Sequence, residues 1–590
     1  MAAPRIIVVG GGLAGLSAVI KIAEAGGTVD LFSIVPVKRS HSVCAQGGIN
    51  AAKDLKGEGD TTYKHFDDTI YGGDFLANQT PVKAMCEAAP AIIDLLDRMG
   101  VPFSRTPEGL LDFRRFGGTL FQRTAFAGAT TGQQLLYALD EQVRRYESEG
   151  KVKKYEGWEF LSAVIDSKGV ARGITALDLR TMELRSFSSN AVILATGGIG
   201  AIYGKSTNSV VCTGSAQSAV YQQGVTYANG EFIQVHPTCI PGEDKLRLMS
   251  ESARGEGGRV WVPRNAGDKR LGRQIPEAER FYFLEEWYPK YGNLVPRDIA
   301  TRAIHKVVYE EGLGIDGQPM VYLDLTHIDR ATLDRKLGGI LDIYEKFVGD
   351  DPHEVPMKIF PGVHYTMGGL WVDFNQMTNI PGIFAIGECE YQYHGANRLG
   401  ANSLLSCIYA GFISGPNALN YAQSAAAQEG DGGHAAEIAR QAELNAKLLK
   451  NEGAENPFKL WRELGDTMTK HATVIRYNKG LKQADEKIVE LLDRYKNVSL
   501  ADRSQWANTS FAFTRQLKNM LDLARVVAQG AMLRDESRGA HYKPDFPERN
   551  DEQFLKTTKA SFTDSGPRFE YEEVDTQFIK PRRRSYDAAN

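Results

Sequence analysis

The chain opens with a continuous apolar run, Ile6-Ile7-Val8-Val9, which passes into Gly10-Gly11-Gly12-Leu13-Ala14-Gly15 and then into Leu16-Ser17-Ala18-Val19-Ile20. An apolar run of strand length, a glycine turn and a helix-like segment predict a buried strand leading through a tight turn into a helix. A second strand is predicted at Thr28-Val29-Asp30-Leu31-Phe32-Ser33. The pattern returns where Asn190-Ala191-Val192-Ile193-Leu194 meets Ala195-Thr196-Gly197-Gly198-Ile199-Gly200, and again at Gly368-Gly369-Leu370-Trp371-Val372 and Gly382-Ile383-Phe384-Ala385-Ile386-Gly387-Glu388. Strands that end in glycine turns and alternate with helices predict an α/β fold with a Rossmann-like core.

The same pattern divides the chain. Residues 1–235 read as the first part of a nucleotide-binding domain. Residues 236–352 are more polar and are punctuated by Pro237, Pro241, Pro263, Pro276, Pro289 and Pro296, which predicts an inserted, mobile α+β capping domain able to act as a lid. Residues 353–425 resume the first domain, so the chain is interleaved. A small-residue linker starts at Gln423-Ser424-Ala425-Ala426-Ala427, and helical periodicity then holds from about 435 to 535, as in Ile488-Val489-Glu490-Leu491-Leu492, giving a helical domain over 426–545. The remainder, 546–590, is charged and is expected to be an extended tail whose Lys580-Pro581-Arg582-Arg583-Arg584 cluster forms a solvated face.

At 590 residues the chain is long enough for several domains with large cores. Hydrophobic residues make up 42% and charged residues 24%, which excludes a disordered or fibrous class, and the net charge of −4 leaves no footprint for nucleic acid. No apolar run approaches the roughly 18 residues needed to span a bilayer. Met1-Ala2-Ala3-Pro4-Arg5 enters the first strand with no signal sequence expected, so membrane association is expected only through a partner. The six cysteines are scattered without metal-binding spacing; they read as buried thiols in a reducing compartment, with no metal site on this chain.

The glycine turn has a specific chemistry. Gly10 permits the turn, Gly12 allows close approach of a pyrophosphate, Gly15 lets helix and strand pack, and the helix N-terminus faces the phosphates. The motif alone leaves NAD and FAD both open. Ser33 stands where many such sites carry an acid for the ribose hydroxyls. Elsewhere, His236-Pro237-Thr238, Ser250-Glu251-Ser252-Ala253-Arg254, Arg297-Asp298, His364-Tyr365-Thr366-Met367-Gly368-Gly369 and Arg398 place cations and imidazoles beside glycine turns. Singly, each is equally a structural histidine or a helix-end ion pair.

Together with Arg39-Ser40-His41-Ser42, Ala45-Gln46-Gly47-Gly48, Phe116-Gly117-Gly118, Arg297-Asp298-Ile299-Ala300-Thr301-Arg302, the run His394 to Leu405 and Glu536-Ser537-Arg538-Gly539-Ala540-His541, these motifs resemble, in order and over most of the chain, the flavoprotein subunit of succinate dehydrogenase and fumarate reductase, especially the Gram-positive-type succinate:quinone oxidoreductases. The resemblance implies FAD bonded to His41, an attachment that raises the flavin potential. It implies cofactor contacts from Gly10, Gly12, Leu13, Ala14, Gly15, Ser33, Ser40, Ser42, Gln46, Gly47, Gly48, Ala195, Thr196, Gly197, Glu388, Asn402, Ser403 and Leu404. The run up to Leu405 is expected to open a helix that points its N-terminus at the flavin. Substrate carboxylates are implied at His236, Ser250, His364 and Arg398, with Phe116 packing on the dicarboxylate. Arg297 is implied as the proton acceptor, with Glu251 and Arg254, spaced i,i+3, as its relay.

The implied partners are an iron–sulfur subunit and a membrane anchor bearing a quinone site, which would hold the chain peripherally at the cytoplasmic face of the membrane as part of respiratory complex II. Fumarate reductase is the alternative in the reverse direction, and L-aspartate oxidase, which generally lacks the covalent histidine, is a more distant one. A catalytically silent flavin-carrying subunit would not need this full set of charged residues. One departure stands out: relatives usually read Thr-Gly-Asp-Gly where this chain has Thr213-Gly214-Ser215-Ala216, so no acidic role is carried over to Ser215.

Overall fold

The computed structural model describes residues 4–242, 246–424, 427 and 432–586. The opening apolar run becomes the strand Arg5–Val9, the centre of an all-parallel five-stranded sheet. Ile383–Ala385, Ala191–Leu194, Arg5–Val9, Thr28–Ser33 and Val152–Glu156 lie side by side in that order. Side chains alternate along a strand, so Ile6 and Val8 enter one core and Ile7 and Val9 the other. The helices Leu13–Glu24 and Asn402–Ala422 cover the first face. An antiparallel meander, Trp158–Ile165, Ala171–Asp178 and Leu184–Ser188, backs the second. Burial on both faces explains why these strands read as unbroken apolar runs, and the α/β expectation holds.

Two glycines in the first turn are sterically required. Gly10 has φ +118°, and a Cβ there would sit 2.1 Å from the Ala195 carbonyl oxygen; at Gly15 it would sit 1.9 Å from the Gly10 oxygen. Close packing of turn, helix and neighbouring strand therefore leaves no room for a side chain.

The inserted segment forms a six-stranded antiparallel sheet in the order Arg247–Leu248, Ile233–Ile240, Met357–Thr366, Val321–Asp324, Arg259–Pro263, Arg280–Phe281. Helices Arg297–His305 and Arg330–Val348 pack into its separate core. This layer starts at Ile233 and its long strand runs on to Thr366, overlapping the neighbouring segments at both ends.

Four helices, His434–Lys450, Pro457–His471, Asn478–Tyr495 and Thr509–Leu533, occupy the stretch where helical periodicity was expected. Local chemistry sets their starts: Asn456 caps the second, accepting from Phe458 N and Lys459 N ahead of Pro457, and Asn508 caps the last through Phe511 N. Ala425 and Ala426 of the expected linker, and Met1, Ala2 and Ala3 of the expected N-terminal entry, lie outside the described residues. Among the described residues no helix is long and apolar enough to cross a membrane.

Two expectations are corrected. The last segment is not simply an extended tail: Lys556–Ser561 and Arg568–Glu573 form a hairpin that joins Tyr227–Ala228 in a four-stranded sheet. Its basic cluster is for the most part the solvated face expected, with Lys580, Arg582 and Arg583 exposed, but the Arg584 side chain is buried on Asp298; a guanidinium is brought inside when a buried carboxylate from a distant segment can pair with it. The cysteines are also not uniformly buried. Cys44 is exposed and Cys407 is half-buried; Cys44 ends the short 3₁₀ turn His41–Cys44, which has no buried residue because it borders an open cavity.

The C-terminal region is tied down by charge. Arg534 donates to Glu231 at 2.7 Å and to Glu536 at 2.9 Å, and Arg538 donates to both Glu536 oxygens, with all four side chains out of water. Removing one partner leaves buried guanidinium groups uncompensated. Glu536→Gln is therefore expected to destabilise the chain by about 3 kcal/mol, read as a lower urea midpoint; an unchanged midpoint would show that the network is energetically neutral.

Candidate active site

A cavity of about 450 Å³ opens between the C-terminal ends of the parallel strands and the capping sheet. This is where open α/β sheets bind ligands. One end is built from turns. Gly10, Gly12, Leu13 and Ala14 line it, with Ser33, Ser40, His41, Ser42, Gln46, Gly47 and Gly48, the Ala195-Thr196-Gly197 turn, Glu388, Ser403 and Leu404. Ser42 Oγ accepts from Leu13 N at 3.2 Å, which holds the 40–42 turn against the N-terminus of the first helix. Ser40 Oγ, Gln46 Oε1 and Thr196 Oγ1 are buried without a protein partner. Buried polar atoms are nearly always paired, so these three fit a polar ligand such as a dinucleotide seated in the turns.

The helix Asn402–Ala422 aims its uncapped N-terminus at the same cavity through Ala401, which is held at φ +63°. Asn50 fixes that bend, donating from its side chain to Gly400 O at 2.8 Å and from its backbone to Ala401 O at 3.1 Å. Burial pushes the Glu388 carboxyl up to about 7, against the Thr366 N–H and Arg398, which favour its ionised form.

At the other end the capping sheet brings two imidazoles together. His236 lies on Ile233–Ile240 and His364 on Met357–Thr366. These strands pair with a register shift between Gln234 and Val235, where Gln234 faces Tyr365 and Val235 faces Val363, leaving His364 as the extra residue of a bulge. A second irregularity lies between His236 and Cys239. Bulges re-aim side chains, and here the rings meet edge to face with centroids 5.0 Å apart. His364 Nδ1 is fixed by Thr207 Oγ1 at 2.7 Å, and His236 Nδ1 accepts from Thr238 N at 3.2 Å. His236 Nε2 has no protein partner. Burial, then the nearby Arg297, holds both rings well below the usual imidazole range.

Around them lies a buried ion cluster. Arg297, the first residue of its helix, donates from Nε and Nη2 to Glu251 Oε2 at 3.0 and 2.8 Å and from Nη1 to Gln234 Oε1 at 2.9 Å. Arg254 donates to Glu251 Oε1 at 2.7 Å and to Asn293 O, on a half-buried turn, at 2.7 Å. Burial by itself would raise the Glu251 carboxyl, but Arg297 and Arg254 outweigh it and hold the group below its ordinary value. Arg398 lies over the Tyr365 ring at 4.4 Å, and burial, then Arg297, pulls it down to about 9. Ser250 lines the cavity, its hydroxyl donating to Ser252 Oγ at 2.9 Å, and Phe116 closes the wall against Gly47. Three guanidiniums against one carboxylate leave a surplus of two positive charges, which suits a ligand with two carboxylates.

His41 stands between the two ends. Ser209 N donates to its Nδ1 at 3.2 Å, and Asn208 Nδ2 lies 3.2 Å from its Nε2.

Three expected site residues do not face the cavity. The Asn402 side chain is turned to Asn50 at 2.8 Å, His65 at 2.9 Å and Thr69 at 2.9 Å, where it anchors the helix start. Gly15 packs the helix on its turn, and Arg254 stands behind Glu251. Several lining or supporting residues escaped the sequence reading: Gln234, Thr207, Ser209, Arg247 and the pair Glu159 and Gln516, which meet at 2.9 Å. The run Gln234-Val235-His236 carried a signal for the first, since a buried Gln two residues from a site histidine needs polar partners. The others depend on contacts between distant segments.

A family model described as FAD binding domain matches residues 5–404, and one described as fumarate reductase flavoprotein C-term matches 461–586. The succinate dehydrogenase flavoprotein subunit of Bacillus subtilis is 62% identical over 99% of this chain and 99% of its own length. The fumarate reductase flavoprotein subunit of Haemophilus influenzae is 36% identical over 99% of this chain and 96% of its own. A solved mutant of Escherichia coli quinol fumarate reductase superposes with a TM-score of 0.90 at 34% identity, covering 100% of this chain and 99% of that one.

The depressed imidazoles carry a pH signature. A histidine whose folded pKa is lowered contributes stability that is present above about 6.5 and is lost as the pH falls, because the unfolded chain binds the proton more tightly. Without a dicarboxylate, replacing His236 and His364 by Asn is expected to make the loss between pH 6.5 and 5.5 shallower by roughly 2 kcal/mol, about 1 kcal/mol for each ring because the unfolded imidazole is half protonated at the start of this window. Urea unfolding at the two pH values checks this; an unchanged slope would mean that the folded chain protonates both rings freely.

Proposed function

The chain belongs to the succinate dehydrogenase and fumarate reductase flavoprotein family, and from that footing we propose that the cationic end of its cavity binds succinate while His41 holds FAD covalently. It is an FAD-dependent oxidoreductase that oxidises succinate to fumarate. The observation that carries the site assignment is the Arg297–Glu251 pair, backed by Arg254, sharing one cavity with the glycine cradle.

Succinate loses hydrogens from two adjacent CH₂ groups, one as hydride and one as a proton from a weakly acidic carbon. FAD, when bound, supplies the two-electron acceptor. Everything else falls to the chain. His236 Nε2 and Arg398 Nε, both buried without a protein partner, reach for the carboxylates, assisted by His364 and Ser250, while Phe116 packs on the carbon chain. Anchoring both carboxylates restricts the substrate to one orientation and excludes water from the carbon that gives up its proton.

Arg297 takes that proton. A guanidinium serves as a base only when its own proton has an exit, and Glu251, touching both Arg297 and Arg254, provides one. Arg254 continues the path to Asn293 O on the half-buried turn. Fumarate reduction uses the same residues in reverse, with Arg297 giving the proton back; direction then follows potentials and supply.

For the covalent link, Ser209 N and Asn208 Nδ2 contact the two ring nitrogens of His41 and hold the ring between the two ends of the cavity, where it would meet the flavin. Ser40, Ser42, Gln46, Thr196, Ser403 and Leu404 would hold the rest of the cofactor, and the helix start at Asn402 would favour negative charge on it. Both matched relatives are subunits, and we place the electron exit on an iron–sulfur partner and a quinone-binding membrane anchor, with this chain peripheral to the cytoplasmic face.

Acid-precipitated protein is expected to keep flavin absorbance, and His41→Ala to lose it; colourless precipitate from the parent chain would remove the covalent assignment. Arg297→Ala is expected to lower kcat by about 10²- to 10⁴-fold with flavin retained. Malonate and oxaloacetate should compete with succinate, and a lack of competition in steady-state kinetics would count against the cationic pocket.

A further inference from the structure

Asp298 follows Arg297 directly, at the second position of the same helix. Neighbouring helix positions point about 100° apart, so one side chain faces the cavity while the other faces away. Asp298 is 1% exposed, and burial would raise its carboxyl, yet Arg584 outweighs burial and holds it below the usual range. Arg584 Nη1 and Nη2 donate to the two Asp298 oxygens at 2.5 and 3.0 Å, a bidentate pair across 286 residues of sequence. Arg302, one turn on, lies 3.4 Å from the same carboxylate and donates to Gly539 O at 2.8 Å.

The segment that delivers Arg584 is anchored along its length to the nucleotide-binding domain. Gln79 donates to Ile579 O at 2.7 Å and accepts from Ile579 N at 2.8 Å. Arg582 pairs with Asp67 at 2.6 Å. Tyr71 OH donates to Ser585 O at 2.9 Å and accepts from Ser585 N at 2.7 Å, a reciprocal pair that fixes the backbone beside Arg584. Tyr586 then wedges between Tyr71, at 5.6 Å, and Tyr291 of the capping segment, at 5.1 Å. Asp67 and Tyr71 sit on the helix Thr62–Gly72, whereas Tyr291 and Asp298 precede and open the helix that starts with Arg297. The strap thus connects the two bodies that form the cavity walls.

We propose that Arg584-Ser585-Tyr586 is a latch that sets the position of Arg297 by clamping Asp298, so that Arg584 is a positioning residue for proton transfer. This rests on the assignment of Arg297 as the proton-exchanging group. Pro296 at the N-cap offers no side-chain hydrogen bond and the residues before it form only a short 3₁₀ turn, Gly292–Leu294, so the Arg297 and Thr301 side chains hold the helix start on the capping side and Asp298 holds it on the other. Proton transfer depends on sub-ångström placement, and the bidentate clamp supplies a rigid reference from the opposite wall.

The test compares full-length flavinylated chains carrying Arg584→Ala, Arg584→Lys and Arg297→Ala, with succinate and a dye acceptor, counting turnover per covalently retained flavin so that lost cofactor or lower yield is divided out. Arg584→Ala is expected to lower kcat roughly 10- to 100-fold with KM changed less than about threefold. The deuterium isotope effect with deuterated succinate should rise, Arg584→Lys should keep more activity, and millimolar guanidinium should restore part of the Ala variant's rate. Parent-like turnover per flavin and an unchanged isotope effect in Arg584→Ala would overturn the latch. An active Arg297→Ala would sink the base assignment itself, whereas an inactive Arg297→Ala beside an undiminished Arg584→Ala sinks the latch alone.

Discussion

The guanidiniums of Arg254, Arg297 and Arg398 lie out of water, and among the described residues Glu251 is the one carboxylate hydrogen-bonded to any of them. Burying charge without full compensation costs several kcal/mol per ion. The fold tolerates this through hydrogen bonds from Gln234 and Asn293, through the face of Tyr365, and by keeping His236 and His364 neutral. A ligand with two carboxylates, as proposed for this pocket, would complete the charge balance.

That constraint explains the architecture around it. The nucleotide-binding half supplies the glycine turns, two helix starts and Arg398, and the inserted segment supplies the helices carrying Arg254 and Arg297 and the strand carrying His236, so the two walls share the residues that line the cavity. Bulges in the strand pair Ile233–Ile240 and Met357–Thr366 turn both imidazoles to one side, where regular pairing would place residues of odd and even offset on opposite faces. The C-terminal strap crosses from one wall to the other and ends on the residue beside Arg297. By contrast, the buried Arg534, Arg538, Glu231 and Glu536 network is compensated within itself.

The two matched names differ in the direction of reaction, and the geometry gives a reason for one fold serving both. Glu251 and Arg254 connect Arg297 to a half-buried turn, and the proton path proposed along them would have no preferred sense. Direction belongs to the electron supply, outside the residues that handle the carbon skeleton.

The turn from Gly10 to Gly15, the periodic helices between 434 and 533 and the strands of the parallel sheet other than the polar edge strand Val152–Glu156 were legible in the chain itself, because each follows from local sterics or from apolar periodicity within a few residues. Site motifs were legible as types of residue, a histidine here and an Arg-Asp there, but their roles came from their order along the chain and its resemblance to a known family. What the tertiary structure alone decided is which groups meet. Thr207 on His364, Ser209 on His41, Asn402 turned to Asn50, and Arg584 on Asp298 join segments that share no local pattern. Burial also decides charge state: the same carboxyl or imidazole is ordinary in water and shifted here, since desolvation is a property of the packed fold and not of any stretch of sequence.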